Sequence, residues 1–146
     1  MGTHSRIGVM HGDVVKSVYC HYDGYLEHNG RILQEHYDSA RANNLVALGD
    51  LSSLCPEIEP GNDSHSFDNP KAGVCVFYGR DRDEDGVDFK VAHTFADFLD
   101  QVEACGAEYY YNIMRDGVWY CGSPDKGSRL VPLTEALSEI KETEHS

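Results

Sequence analysis

SRIGVMHGDVVKSVYCHYDGY, residues Ser5 to Tyr25, predicts a β-hairpin around which the rest of the chain is organised. Two apolar-rich runs, Arg6 to Met10 and Val14 to Tyr22, flank a Gly12-Asp13 pair. This pair suits a tight hairpin turn in which the glycine takes a positive φ. The second run is rich in β-branched and aromatic residues, which favours a strand.

The second strand of this hairpin also carries the densest group of side chains that could act on a ligand. Alternation along a strand predicts two faces, with Val18, Cys20 and Tyr22 on one and Ser17, Tyr19 and His21 on the other. Cys20 and His21 then point apart, which argues against a thiolate and imidazole pair. His21 and Asp23 are two residues apart and could form an acid/base pair if the strand continues that far.

Length and composition indicate one folded domain spanning residues 1–146. The chain has 40% hydrophobic residues, with nine Tyr, five Phe and one Trp, enough for a single core. Its 25 acidic and 12 basic residues give a net charge of −13, which disfavours direct nucleic-acid binding. The acidic surface is either a solvated exterior or a mimic of DNA directed at a basic partner.

The cysteines indicate a reducing compartment. They are five in number, an odd count without a C-x-x-C pair, and are interpreted as reduced, mostly buried thiols of a cytosolic protein. No disulfide frame, zinc site or cofactor is predicted. The sequence has no apolar run near 18 residues, so no membrane span is expected.

The rest of the chain alternates between helical and strand patterns. Helices are predicted at 28–37, 40–48, 50–54 and 95–105, and from Leu133 to Ile140, before a frayed tail at 141–146. Strands are predicted at 73–78 and 87–92, side by side, and in a hairpin at 108–114 and 118–121, while 55–72 forms a long surface loop. This order predicts an α+β fold, with an antiparallel sheet built from β-hairpins and helices packed on one face.

Arginine and ring side chains from two distant segments suggest a binding pocket. Arg80 and Arg82 end a strand in an otherwise acidic chain and could anchor a phosphate or carboxylate, unless the neighbouring acids neutralise them. We hypothesise that they join residues of the first hairpin around a planar, anionic, nucleotide-like ligand. The predicted ligand-binding residues are Arg6, Tyr19, His21, Asp23, Tyr25, Arg80 and Arg82.

A second pattern resembles half of a calcium-binding loop. Asp81, Asp83, Asp85 and Gly86 give D-x-D-x-D-G, in which alternate carboxylates converge on the cation. The second half departs from the pattern, because Ala92 stands where a bidentate Glu is required. A solvated loop is therefore favoured, and no metal site is predicted.

The segments SRIGV, SVYCHYDGYLEHNGRILQEHY, LVALGDLSSL, SHSFDNP and VFYGRDR together resemble a family of small, mostly uncharacterised proteins encoded by tailed bacteriophages. The likeness spans Gly2 to Val91, and YCHYDGY is its most specific part. In that family a Gly tends to follow GRDR, where this chain has Asp83. The resemblance implies synthesis in the cytoplasm of an infected bacterium, and a role in redirecting host enzymes or blunting host defences.

Three functional hypotheses follow. The leading one is a non-catalytic binding protein, acting in counter-defence or host takeover, that sequesters a nucleotide-like signal or occupies a host protein. The second is an acidic DNA mimic that inhibits a host nuclease or another DNA-binding protein. The third is a small enzyme that uses His21 and Asp23 as acid and base. Formation of a homo-oligomer is left open.

Overall fold

The computed structural model describes residues 4–22, 26–59, 65–114, 116–123 and 130–144. The strands in this part of the chain are β1 (Ser5–His11), β2 (Val14–Tyr22), β3 (Leu51–Ser53), β4 (Val76–Phe77), β5 (Lys90–Ala92), β6 (Tyr109–Ile113), β7 (Trp119–Gly122) and β8 (Val131–Pro132). The α-helices are α1 (Arg31–His36), α2 (Ser39–Ala47), α3 (Tyr78–Arg82), α4 (Phe95–Ala104) and α5 (Leu133–Glu144), and a π-helical turn, Leu26–Gly30, leads into α1.

Within the described ranges, all eight strands belong to one sheet. The order along the sheet is β4-β3-β2-β1-β6-β7-β8, and β5 pairs with β2 beside this path. β1 pairs with β6 in parallel, as β2 does with β3, and the other pairings are antiparallel. The predicted α+β class is therefore confirmed, with a mostly antiparallel sheet on which helices pack.

The hairpin predicted from the opening stretch is confirmed. β1 and β2 pair antiparallel with Arg6 opposite Tyr19 and Ile7 opposite Val18. Gly12 occupies the turn with a φ of 58°, the left-handed region that glycine enters without steric cost. Because this turn fixes the register, it also decides which side chains of the two strands lie next to each other.

The core is divided between the two faces of the sheet. The larger part contains Ile7 and Val18 together with apolar residues of α1, α2 and α5. The smaller part lies on the other face, where Phe98 and Val102 of α4 pack against Val15. Helices α1, α2 and α5 thus pack on one face of the sheet, as predicted. Helix α4 packs on the opposite face.

Two predicted local structures are wrong. The segment 50–54, expected to form a helical turn, contains β3, because Leu51 pairs with Cys20 on one side and with Phe77 on the other. The polar run after the strand at 76–77, expected to be a connection, begins with α3. Asp83 ends this helix with a φ of 58°.

The partner predicted for the strand at 87–92 is also wrong. β5 pairs antiparallel with β2, with Ala92 opposite Val15, and not with β4. The physical reason is the length of β2, which pairs with β5 near its start and with β3 near its end. No local pattern in the sequence indicates that one long strand pairs with two different strands along its length.

Two further predicted segments, the loop 55–72 and the tail 141–146, are described only in part. In the predicted loop 55–72, residues 60–64 lie outside the described residues, and the buried Ile58 anchors the part before them. The predicted frayed tail begins at Lys141, whereas α5 continues to Glu144. All five cysteines lie in described segments, where none is in a disulfide. Among the described helices, none has the length and apolar character needed to cross a bilayer.

Replacing Gly8 with alanine is expected to lower the free energy of unfolding by about 1–3 kcal/mol, because the site has no room for a Cβ. A Cβ there would lie 2.5 Å from Asn112 Oδ1, 3.0 Å from Val15 and 3.1 Å from Phe98. Urea denaturation followed by circular dichroism measures the change. Gly79→Ala is the matched control, since its nearest non-local atom would be 3.4 Å away, so equal losses in both variants would contradict the prediction.

Candidate functional site

The candidate site lies where the start of β1 meets the end of β2, on the sheet face that α4 also covers. Since Arg6 is opposite Tyr19 in the antiparallel register, the two side chains are neighbours on one face. Strand alternation adds Ser17 and His21 to the same face. Three residues predicted to bind a ligand, Arg6, Tyr19 and His21, are therefore brought together by the hairpin.

Three partly exposed rings form the surface of this site, and we name His4, Tyr19 and His21 the ring cluster. The rings of His4 and His21 stack with their centroids 4.5 Å apart. His4 Nδ1 donates to the His21 carbonyl oxygen at 2.8 Å, and Tyr19 Oη lies 2.8 Å from His21 Nδ1. The ring cluster is therefore held by both stacking and hydrogen bonds.

Arg6 lies beside the ring cluster and is only 1% exposed. Its Nε donates to Ser17 Oγ at 2.7 Å and its Nη2 donates to the Ser17 carbonyl at 3.3 Å. Within the described segments, no carboxylate oxygen lies within 4.0 Å of this guanidinium. A buried cation without a close counter-ion is costly, and such groups are found at functional sites more often than elsewhere.

Asp50 supplies the negative charge that acts on Arg6 at longer range. Its Oδ1 accepts the Tyr19 backbone N–H at 2.9 Å. Its own backbone is fixed by two hydrogen bonds, from Asp50 N–H to the Val87 carbonyl and from Tyr78 N–H to the Asp50 carbonyl. Burial raises the pKa of Asp50, and the Tyr19 N–H and the charge of Arg6 offset only part of this effect.

Two side chains of the ring cluster, Tyr19 and His21, have pKa values shifted in the direction that favours their neutral forms. Burial, assisted by Tyr78 and weaker neighbours, raises the pKa of Tyr19 to about 12. Burial and the adjacent His4 lower the pKa of His21. The site thus combines an uncharged phenol and an uncharged His21 imidazole with the buried Arg6 cation.

Arg80 belongs to a separate network. Its Nε lies 3.0 Å from Asp81 Oδ1, its Nη1 donates to the Ile58 carbonyl at 2.6 Å, and its Nη2 donates to the Cys75 carbonyl at 2.9 Å. The guanidinium also stacks on the Phe77 ring, 4.7 Å from its centroid. Arg80 therefore stabilises its own segment, which is the neutralised alternative considered from the sequence.

Of the other predicted ligand-binding residues, Asp23 and Tyr25 lie outside the described residues, as does the Arg82 side chain. The pairing of His21 with Asp23 as acid and base remains a prediction for the same reason. The described contact of His21 Nδ1 is with the Tyr19 phenol.

The carboxylates of the calcium-like pattern lie in different environments. Asp81 accepts from the Phe77 N–H at 2.8 Å and lies 3.2 Å from His65 Nε2, and its side chain is 5% exposed. Asp83 and Asp85 are exposed. In the described parts of the chain, no three His, Cys, Asp or Glu side chains form a group that could hold a metal ion.

The chain was compared with known proteins at the levels of family, sequence and structure. It matches no protein-family model, no curated protein and no solved structure. The likeness to tailed-phage proteins therefore stays a prediction, and the function has to be argued from the geometry of the site.

A surface cavity of about 610 Å³ adjoins Arg80. Its lining contains one guanidinium and three carboxylates, and consists of Ser66, Phe67, Asp68, Arg80, Asp81 and Asp83. The excess of negative charge disfavours a phosphate in this cavity.

Sequence reasoning missed His4 and Asp50. His4 could have been found, because extending the hairpin register by one residue from the Ser5–Cys20 pair places it opposite His21. Asp50 could not, because it reaches Tyr19 only through the parallel pairing of Leu51 with Cys20, which joins distant parts of the chain. A turn motif predicts local neighbours but carries no information on parallel partners.

Proposed function

We propose that this protein is a bacteriophage accessory protein that acts in the cytoplasm of the infected bacterium as a non-catalytic binding protein. In this proposal the ring cluster sequesters a nucleotide-like signal and thereby serves counter-defence. The observation that carries the proposal is the close approach of three rings beside a buried guanidinium that has no carboxylate within 4.0 Å among the described residues.

The chemistry of the ring cluster suits a planar, anionic ligand. Aromatic side chains offer faces on which a base can stack, at about 1–3 kcal/mol per base. Arg6 is too deeply buried for direct contact, so its contribution is a positive potential that attracts phosphate. In a chain with a net charge of −13, the Arg6 cation is the feature of this site that would attract an anion, and Asp50 offsets part of its charge.

A binding role fits the hydrogen bonding of the cluster better than a catalytic one. A general base needs a nitrogen that can take a proton from the substrate, and an orienting partner for its second nitrogen is usually a carboxylate. Here Tyr19, a phenol whose pKa is about 12, occupies the Nδ1 side of His21. The same contact that weakens the catalytic hypothesis holds the two rings in fixed positions for stacking.

Thermal-shift screening with cyclic nucleotides and ADP-ribose derivatives tests the proposal. A ligand present at 100 times its Kd is expected to stabilise the fold by about 2.7 kcal/mol and to raise the Tm by several degrees. Tyr19→Ala and His21→Ala are expected to lose this shift. His93→Ala removes an exposed imidazole outside the cluster and is expected to keep it. Absence of a shift with every ligand would contradict the proposal.

The acidic DNA mimic is retained as a second candidate because α4 presents its acids outward. Asp97, Asp100 and Glu103 are exposed and follow one another at three-residue spacing along the helix. This version predicts salt-sensitive binding to a host DNA-binding protein, measured by biolayer interferometry between 50 and 300 mM NaCl. Replacing the three acids with their amides should abolish that binding while leaving any nucleotide-induced thermal shift intact.

A further inference from the structure

Two cysteines meet at the base of the long loop that follows β3. Cys55 comes two residues after β3, and Cys75 directly precedes β4. Because these strands are antiparallel neighbours, the chain that leaves the sheet at Cys55 returns to the same place at Cys75. The two residues are 20 positions apart in sequence.

The sulfur of Cys75 lies directly against the backbone of Cys55. Cys75 Sγ is 3.2 Å from the Cys55 nitrogen and 3.2 Å from the Cys55 carbonyl oxygen. Since Cα is bonded to that nitrogen at about 1.46 Å, the sulfur lies within about 4.7 Å of the Cys55 Cα. The Cys75 sulfur is therefore close to the point from which the Cys55 side chain branches, and a disulfide requires rotation of that side chain about its Cα–Cβ bond until the sulfurs are about 2.05 Å apart.

We propose that Cys55 and Cys75 are a modification site at which peroxide forms a reversible intramolecular disulfide. Cys55 is the more accessible of the two, since it is half-buried whereas Cys75 is fully buried. The Cys55 thiolate attacks one peroxide oxygen, the O–O bond breaks, and a sulfenic acid and one water are formed. The Cys75 thiolate then attacks the sulfenic sulfur and releases the second water. Two thiols are oxidised by two electrons, and hydrogen peroxide is reduced to two molecules of water.

The surroundings of the pair make its oxidation slow at neutral pH. Burial, with a smaller contribution from Cys75, raises the pKa of Cys55 to about 11. Burial also raises the pKa of Cys75, although hydrogen bonds from the Tyr37 hydroxyl and the Cys55 N–H oppose this. Both thiols are therefore protonated at neutral pH, a state that reacts slowly with oxidants.

The disulfide would close the loop between Cys55 and Cys75, whose residues line parts of two surface cavities. One cavity, of about 440 Å³, is lined in part by Glu57, Ile58 and Glu59. The other is the 610 Å³ cavity beside Arg80, to which residues 66–68 contribute. Closing this loop covalently removes conformations from the unfolded chain and so stabilises the folded state.

Oxidation of the purified protein with hydrogen peroxide tests the proposal. Thiol titration under denaturing conditions is expected to fall from five groups to three. Trypsin cuts between the cysteines after Lys71, so the non-reducing digest should contain the two peptides joined, two hydrogens lighter than their sum. The Tm should rise by roughly 5–10 °C and return to its original value on reduction with dithiothreitol.

Single cysteine variants identify the bond. Cys55→Ser should abolish both the joined peptides and the rise in Tm. Cys105→Ser is the matched control, because Cys105 is half-buried like Cys55, and it should leave both results unchanged. Crosslinks through Cys105, crosslinks between two molecules, or oxidation beyond sulfenic acid without a Cys55–Cys75 bond would overturn the proposal.

Discussion

Replacing Asp81 with alanine is expected to lower the free energy of unfolding by about 3–5 kcal/mol, because it removes the buried counter-ion of Arg80 and leaves the exposed Glu59 carboxylate, 3.8 Å away, in its place. The Asp81 side chain is 5% exposed and that of Arg80 is 21% exposed, so water replaces the lost carboxylate only in part. The same change removes the acceptor of the Phe77 N–H at the start of α3. Urea denaturation at pH 7 measures the loss.

The pH dependence of this effect separates the ion pair from simple loss of packing. Burial alone would raise the pKa of Asp81, but the hydrogen bonds from Arg80 and Phe77 outweigh it, so the pKa in the folded state is lowered. Such a carboxylate stabilises the fold above its unfolded pKa of about 3.9, and this contribution is lost as the pH falls through the folded value. The difference between wild type and Asp81→Ala should therefore shrink between pH 7 and pH 3.

A matched control is available in the same segment. Asp85 is exposed, so Asp85→Ala should change the free energy of unfolding by less than about 0.5 kcal/mol at either pH. If Asp81→Ala cost the same at pH 7 and pH 3, the carboxylate charge would have no part in the stability of this segment.

The elements that the sequence predicts well are those decided by neighbouring residues. Gly12 sets the turn and register of the first hairpin, and the Thr94 hydroxyl caps α4 by accepting from the Asp97 N–H at 3.1 Å. Both signals act within a few positions along the chain. The parallel pairing of β1 with β6, which joins Arg6 to Tyr110, depends on contacts between residues about a hundred positions apart, and no local pattern encodes it.

The same distinction holds for the candidate site, where neighbours within one hairpin could be predicted and neighbours from distant segments could not. Arg6, Tyr19 and His21 were predicted together because they belong to one hairpin, and its register makes them neighbours. Arg80 was assigned to the same pocket on charge alone. Its acceptors include Asp81 and the Ile58 and Cys75 carbonyls. They come from the folding of its own segment onto the loop at Ile58, which composition does not reveal.

Arg6→Met is expected to weaken nucleotide binding while leaving the fold as stable as before or more stable. Among the described residues, the buried guanidinium has Ser17 as its hydrogen-bond partner and a longer-range interaction with the charge of Asp50. Replacing buried charges with apolar side chains of similar size is often neutral or stabilising, so we expect a gain between zero and about 3 kcal/mol. Loss of the positive potential should reduce affinity about 5- to 30-fold, equivalent to about 1–2 kcal/mol.

Arg41 provides the contrasting control for this prediction. Its guanidinium donates to the carbonyls of His36 and Pro56 and stacks on the Tyr37 ring, 4.7 Å from the centroid. Arg41→Met should therefore lose about 1–3 kcal/mol of stability through these hydrogen bonds and leave nucleotide affinity unchanged. Denaturation and isothermal titration calorimetry on both variants measure the two effects separately. A loss of more than 2 kcal/mol in Arg6→Met, with affinity unchanged, would make Arg6 a structural residue and remove the charge on which the binding proposal depends.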